Sequence, residues 1–176
     1  MSFYYITGVA GSGKSLVRKE LTRLGYEAYD TDENNLGYFY HNTTGETVQN
    51  NLTSDERTPE WVQSHTWKLS RIKAEKLTLR ARNKTVFLCG AVANDATELW
   101  DLFDKVFALT INEEVLVHRI KTRTSNDFGK SPHEMANIMK WQSTAKETYT
   151  DLGAVIIDAT QSIDHVTKSI LGNLSK

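Results

Sequence analysis

The chain has 176 residues, 39% of them apolar, with 21 Lys and Arg against 22 Asp and Glu for a formal net charge of −1. That length suits one domain with a buried core, and the charge balance argues against the basic footprint of a nucleic-acid-binding domain. A single cysteine, Cys89, excludes an intrachain disulfide and points to a reducing compartment, and no run of 18 apolar residues offers a membrane span.

The first apolar, β-rich run is Phe3 to Thr7. It leads into Gly8, Val9, Ala10, Gly11, Ser12, Gly13, Lys14 and Ser15, the full G-x-x-x-x-G-K-[ST] spacing. Residues 16–24 read as a helix, so the glycine loop has a strand before it and a helix after it, the context of a phosphate-binding loop. Glycines at 8, 11 and 13 let the backbone turn its N–H groups onto phosphate oxygens. The helix starting near Lys14 aims the positive end of its dipole at the same point. Lys14 is expected on the β- and γ-phosphates and Ser15 on Mg²⁺. Gly8, Gly11, Ser12, Gly13 and Leu16 complete the cradle of a purine nucleoside triphosphate.

Gly25 is a natural helix stop. A second strand, 26–30, then ends in Asp30, Thr31 and Asp32. Residues 33–58 lack periodicity and are rich in Asn, Thr and Gly, which suits a binding region or lid. Thr58 and Pro59 open a helix expected to run over 59–82, with Trp61, His65 and Lys68 on one face. A buried strand follows at 85–89, a short helix from Asn94 or Asp95 to about Trp100, and a fourth strand at 106–109. Thr110 and Glu113 form a capping-box pattern for a helix over 111–123, on which Arg119 and Arg123 share a face. After a polar loop at 124–130, Ser131, Pro132 and Glu134 form a second capping box for a helix to about Tyr149. The fifth strand, 155–157, ends at Asp158, and Ser162 caps a last helix carrying Ile163, Val166, Ile170 and Leu174. Apolar strands alternating with helices make a parallel sheet covered on both faces, with ligands at the C-terminal strand ends. That brings the glycine loop, Asp30 and Asp32, 90–94, and 158–160 around one crevice.

With these pieces in place, the chain resembles the small P-loop kinases of the nucleoside monophosphate kinase and shikimate kinase superfamily over nearly its whole length. The resemblance implies one P-loop NTPase domain over 1–176, a three-layer α/β/α fold with a five-stranded parallel sheet in order 2-3-1-4-5. It implies an acceptor-binding insert at about 33–58, an arginine-bearing lid at about 124–130, and transfer of the γ-phosphate of ATP to a small acceptor. Residues 27–32 look like the corresponding stretch of shikimate kinases. That makes Asp30 the metal-side carboxylate and Asp32 the acceptor-side one, which would orient a hydroxyl and accept its proton. Arg119 and Arg123 match arginines that stack near the adenine or hold the transferring phosphate, and Ala159 and Thr160 match the adenine loop. The Asp-Gly-Phe-Pro-Arg signature of adenylate kinases is absent, as are the shikimate kinase glycine triplet after the third strand and a Walker B aspartate. Mg²⁺ therefore relies on Ser15, phosphates, water and Asp30.

On the acceptor side the candidates are Arg57, Trp61, Arg71, Gly90 and Asn94. An aromatic beside a cation suits a nucleobase or nucleoside phosphate, with Arg57 and Arg71 as clamps. His41 and His133 read as surface residues and Cys89 as core. The acceptor stays open among a nucleoside, a nucleotide and a shikimate-like hydroxyl. The rival readings are a polynucleotide 5′-kinase and a regulatory P-loop ATPase. The expected partners are ATP, Mg²⁺ and a small-molecule acceptor, with no membrane and no nucleic acid, for a monomer or homodimer in the cytoplasm.

Overall fold

The computed structural model describes residues 2–48, 52–53, 55–124 and 127–174. Along the chain run β1 (Phe3–Thr7), α1 (Lys14–Arg23), β2 (Glu27–Asp30), β3 (Gly37–His41), β4 (Thr47–Val48), α2 (Pro59–Ser64), β5 (His65–Leu69), α3 (Arg71–Ala81), β6 (Val86–Cys89), β7 (Lys105–Thr110), α4 (Glu113–Thr122), α5 (Pro132–Asp151), β8 (Val155–Asp158) and α6 (Ile163–Gly172). Five strands pair in parallel in the order β2-β6-β1-β7-β8. Counted along that sheet alone, the order is second, third, first, fourth, fifth.

β1 lies at the centre and is buried along its whole length, as a strand covered on both faces must be. Its side chains alternate between two cores. Tyr4 and Ile6 join Phe87, Phe107 and Leu109 against Val17 and Leu21 of α1 and Val166 and Ile170 of α6. Phe3 and Tyr5 join Val86, Leu88 and Val106 against Ala74, Leu77 and Ala81 of α3.

The segment between β2 and α3 departs from the sequence reading. It is not an irregular stretch followed by one helix over 59–82. β4, β3 and β5 form a separate antiparallel sheet, with Phe39 opposite Trp67 and His41 opposite His65. The aromatic and β-branched residues of 38–40 and 65–67 favour a pleated surface. The helix stops at Ser64, and Ser70 caps a new one by accepting from Lys73 N. The capping boxes also resolve differently. Asn112 caps α4, its Oδ1 accepting from Val115 N at 2.9 Å. Ser131 sits at the N-cap of α5 without a side-chain capping bond. A π-helical turn over Asp95–Leu99 and a 3₁₀ turn over Trp100–Leu102 replace the short helix.

Gly90, a candidate acceptor contact, is a packing position. A Cβ there would stand 2.3 Å from Thr31 Cγ2 and 2.5 Å from its Oγ1, and Thr31 is buried. Gly90→Ala is expected to lower stability by about 1–3 kcal/mol through overpacking, read from urea unfolding midpoints. An unchanged midpoint would show that Thr31 turns away at no cost.

Candidate active site

The glycine loop takes its shape from residues that only glycine suits. Gly8 has φ +138° and Gly13 φ +105°, and a Cβ on Gly8 would lie 2.5 Å from the Leu109 carbonyl oxygen. The loop wraps the Lys14 ammonium, which donates to the carbonyls of Gly8 (2.7 Å) and Val9 (2.8 Å). Ser12 is fully buried, and its hydroxyl has no hydrogen-bond partner among the described residues. Desolvation lowers the Lys14 pKa to about 8; Asp32 and Asp30 oppose the shift and Arg123 adds to it.

That shift has a pH signature. An unfolded lysine titrates near about 10.4, so between about pH 8 and 10 the folded state binds fewer protons than the unfolded one. The stability of the free protein therefore rises with pH across that window. A bound polyphosphate favours the ammonium, so nucleotide binding takes up a proton there. The Kd for Mg-nucleotide is expected to stay flat below pH 7.5 and to weaken by up to roughly tenfold per pH unit above 8. Calorimetry in buffers of different ionisation heat reads the proton directly. No proton uptake at pH 9 would show that Lys14 keeps its charge in the free protein.

At the end of β2, Ser15 Oγ donates to Asp30 Oδ2 at 3.1 Å. Asp30 Oδ1 accepts from the backbone N–H groups of Asp32 (2.9 Å) and Glu33 (3.4 Å), which fixes the exit of the strand. Ser15 and Asp30 thus offer two hard oxygens in contact, the donor chemistry Mg²⁺ takes. Among the described residues no group of three or more His, Cys, Asp and Glu could hold a metal ion, so phosphate and water would fill the other positions. Asp32 reaches solvent, and Thr31 Oγ1 donates to its Oδ1 at 3.0 Å. Protein crowding around the carboxylate, then the charge of Asp30, raises its pKa against the pull of Thr31 and Lys14.

From the other side of the crevice, Arg119 donates through Nη2 to the Ala159 carbonyl (3.0 Å) and through Nη1 to the Ser12 carbonyl (3.5 Å). It joins the glycine loop to the loop after β8, beside a cleft lined by Gly13, Leu16, Gln161 and Ile163. Thr160 commits both its N–H (2.9 Å) and its hydroxyl (2.6 Å) to Asp158 Oδ1, which shapes that loop. Arg123 donates to the Phe128 carbonyl, and its buried Nε has no partner among the described residues. Burial lowers the pKa of Arg123 against Asp127, Glu134 and Asp32. Lys14, Asp32 and Arg123 therefore feel one another's charge in one neighbourhood.

An AAA domain family model matches residues 5–158. The chain belongs to the AAA domain family. No curated protein matches it in sequence. Its fold is that of the small P-loop kinases. Shikimate kinase from Acinetobacter baumannii in complex with shikimate aligns at TM-score 0.61 and 16% identity, over 100% of this chain and 96% of that one. Deoxyadenosine kinase from M. mycoides with bound dATP aligns at 0.57 and 15%, over all of both chains. A gluconokinase from Sinorhizobium meliloti aligns at 0.52 and 18%, over 97% of this chain and 90% of that one.

In this AAA domain the acceptor-side candidates make contacts within the protein. Arg57 is only 4% exposed; its Nε donates to Glu134 Oε1 (2.8 Å), its Nη2 to Asp127 Oδ1 (3.0 Å) and its Nη1 to the Leu52 carbonyl. The guanidinium also stands 5.6 Å from the centre of the Phe128 ring. It is an anchor, not an open clamp. Glu134 is fully buried and accepts from Gly129 N at 2.8 Å as well, so it serves the lid rather than a capping box. His133 is likewise not a plain surface residue, since its Nε2 lies 2.8 Å from the Arg57 carbonyl. Arg71 spends its guanidinium on Asp101, Glu75 and the Glu98 carbonyl. Asn94 is buried and bonds Leu69 N (2.9 Å) and Leu69 O (3.1 Å), fastening β5 to the loop after β6. Trp61 stacks on His65 (4.1 Å between centres) and meets Phe39 edge-on (4.7 Å). Ser125 and Asn126 of the expected lid, and 49–51 and 54 of the expected insert, lie outside the described residues.

One buried cluster gave no sequence signal. Tyr149 Oη donates to Asp95 Oδ2 at 2.9 Å, and the Thr7 hydroxyl lies 3.1 Å from Tyr149 Oη and 3.4 Å from Asp95 Oδ2. Thr7 immediately precedes Gly8, so the cluster ties the entry of the glycine loop to the end of α5.

Proposed function

We propose that this protein is a Mg-ATP-dependent phosphotransferase that moves the γ-phosphoryl group to the hydroxyl of a small acceptor. The observation that carries this reading is the meeting of Lys14, the Ser15–Asp30 pair, Asp32 and Arg123 at the C-terminal ends of parallel strands, where such folds take their ligands. The neighbours that share the fold bear the names of small-molecule kinases, which supports the same reading.

The backbone N–H groups of the glycine loop would hold the phosphates, and Lys14 would move from the Gly8 and Val9 carbonyls onto them. Arg119 flanks the cleft for the base. The acceptor hydroxyl donates to Asp32, which takes its proton as the new O–P bond forms and the β–γ bridging oxygen leaves with ADP. Arg123, whose Nε has no partner among the described residues, stabilises charge on the transferring group. Ser15 and Asp30 would hold Mg²⁺, which neutralises phosphate charge when bound. Among the described residues no helix is long and apolar enough to cross a membrane.

The test is ADP production from Mg-ATP with a panel of nucleosides, nucleoside monophosphates, hydroxy acids and a 5′-hydroxyl oligonucleotide. Saturable stimulation by one small-molecule class is expected; stimulation by the oligonucleotide alone would overturn the small acceptor. Asp32→Asn is expected to lower kcat by roughly 10²–10⁴-fold with nucleotide affinity kept. Turnover within a few-fold of the parent would remove Asp32 as the base.

A further inference from the structure

The insert begins beside Asp32 and ends at Arg57, whose bonds to Glu134 and Asp127 join it to the lid. It therefore spans the acceptor side of the crevice, and its chemistry bears on what the acceptor is. Residues 33–73 contain four Lys or Arg: Arg57, Lys68, Arg71 and Lys73. None of the four is free. Arg57 is buried against Glu134. Lys68 donates to Glu98 Oε1 at 3.1 Å and lies 5.0 Å over the Tyr40 ring. Arg71 is held by Asp101 and Glu75, and Lys73 by the Asn35 carbonyl. At the mouth stands the exposed carboxylate of Asp32, with Asp30 buried behind it. An acceptor carrying a phosphate or carboxylate would meet repulsion there and no open cation on the insert.

What the segment does present is aromatic. Phe39, Trp61, His65 and Trp67 are half-buried and gather on one face of the antiparallel sheet, while Tyr38 and Tyr40 lie on the other. Phe39 meets both Trp61 (4.7 Å) and Trp67 (4.8 Å), and Trp61 stacks on His65 at an interplanar angle of 9°. Such a wall favours a flat, uncharged ring. Resting on the phosphotransferase reading above, we infer that the acceptor is an uncharged nucleoside, not a nucleoside monophosphate or a hydroxy acid. The nucleoside supplies the hydroxyl to Asp32, the aromatic side chains take the base, and no anion has to be neutralised on the insert. Lys130, at the end of the lid, is an exposed cation.

Matched pairs test this in the full chain with Mg-ATP. Each nucleoside is compared with its 5′-monophosphate, and shikimate and gluconate stand for hydroxy acids. The best nucleoside is expected to exceed its monophosphate and both acids in kcat/KM by on the order of 10²-fold or more. With a non-hydrolysable ATP analogue bound, the nucleoside should quench tryptophan fluorescence saturably and its monophosphate should not. A monophosphate or hydroxy acid that is phosphorylated as well as any nucleoside overturns the inference while the phosphotransferase stands, and loss of that activity in Lys130→Ala would name the cation responsible. A panel in which no acceptor raises ADP release, despite nucleotide binding, removes the phosphotransferase reading and this inference with it.

Discussion

Replacing Lys14 with alanine is expected to lower phosphoryl transfer by at least about 10²–10³-fold while leaving the fold as stable as before or slightly more stable. The loss follows from removing a preorganised positive charge where negative charge develops on the transferring group. The stability follows from the environment of the ammonium in the free protein. It is desolvated enough to depress its pKa to about 8, so at pH 7 the charged form is held at a cost. Against that relief stand the two bonds lost to the Gly8 and Val9 carbonyls. Gly8 and Val9 are themselves buried, so relief is complete only where water enters the space the side chain leaves. A coupled ADP assay and urea unfolding at pH 7 measure the two sides together. Transfer within tenfold of the parent would remove Lys14 from the phosphate site. A large fall in stability would instead make the lysine a structural pin of the loop.

The parts of the site that were legible in the sequence are those whose chemistry fixes local spacing. The glycines at 8 and 13 sit where the backbone needs positive φ, and the lysine follows because the helix starts there. Asp30 and Asp32 stand at the polar end of an apolar strand, as the sequence suggests, whereas Arg123 has already left α4 and bonds the Phe128 carbonyl, apart from the contacts of Arg119. The acceptor side was not legible, because its contacts join residues far apart in sequence. His41 pairs with His65 across an antiparallel sheet, and neither strand shows a clean period of two. The Trp61–His65 stack even mimics an i,i+4 helical pair, although His65 has already left the helix. Glu134 satisfies the local pattern of a capping box and is drawn away by an arginine 77 residues earlier. A local pattern records what a side chain is able to bond. Tertiary packing decides what it does bond.

That same pair sets the largest expected loss of stability. Glu134→Ala leaves the Arg57 guanidinium, 4% exposed, with Asp127 as its charged partner among the described residues, and it strips Gly129 N–H of its acceptor. Removing one member of a buried ion pair costs about 3–5 kcal/mol, because the remaining charge stays desolvated. At roughly 2–4 °C per kcal/mol for a domain of this size, Tm falls by about 6–20 °C. If the uncompensated charge is the cause, the double replacement Arg57→Met with Glu134→Leu recovers the part of that loss due to the stranded guanidinium, while the Gly129 N–H stays without its acceptor in both variants. Recovery of stability without recovery of function is the informative result. The bridge fastens the end of the insert to the lid, so the double variant should fold, bind nucleotide normally and show a raised KM for the acceptor. A double variant no more stable than Glu134→Ala would place the cost in packing rather than charge. Unchanged acceptor kinetics in a stable double variant would show that the bridge supports the fold and has no part in positioning the acceptor.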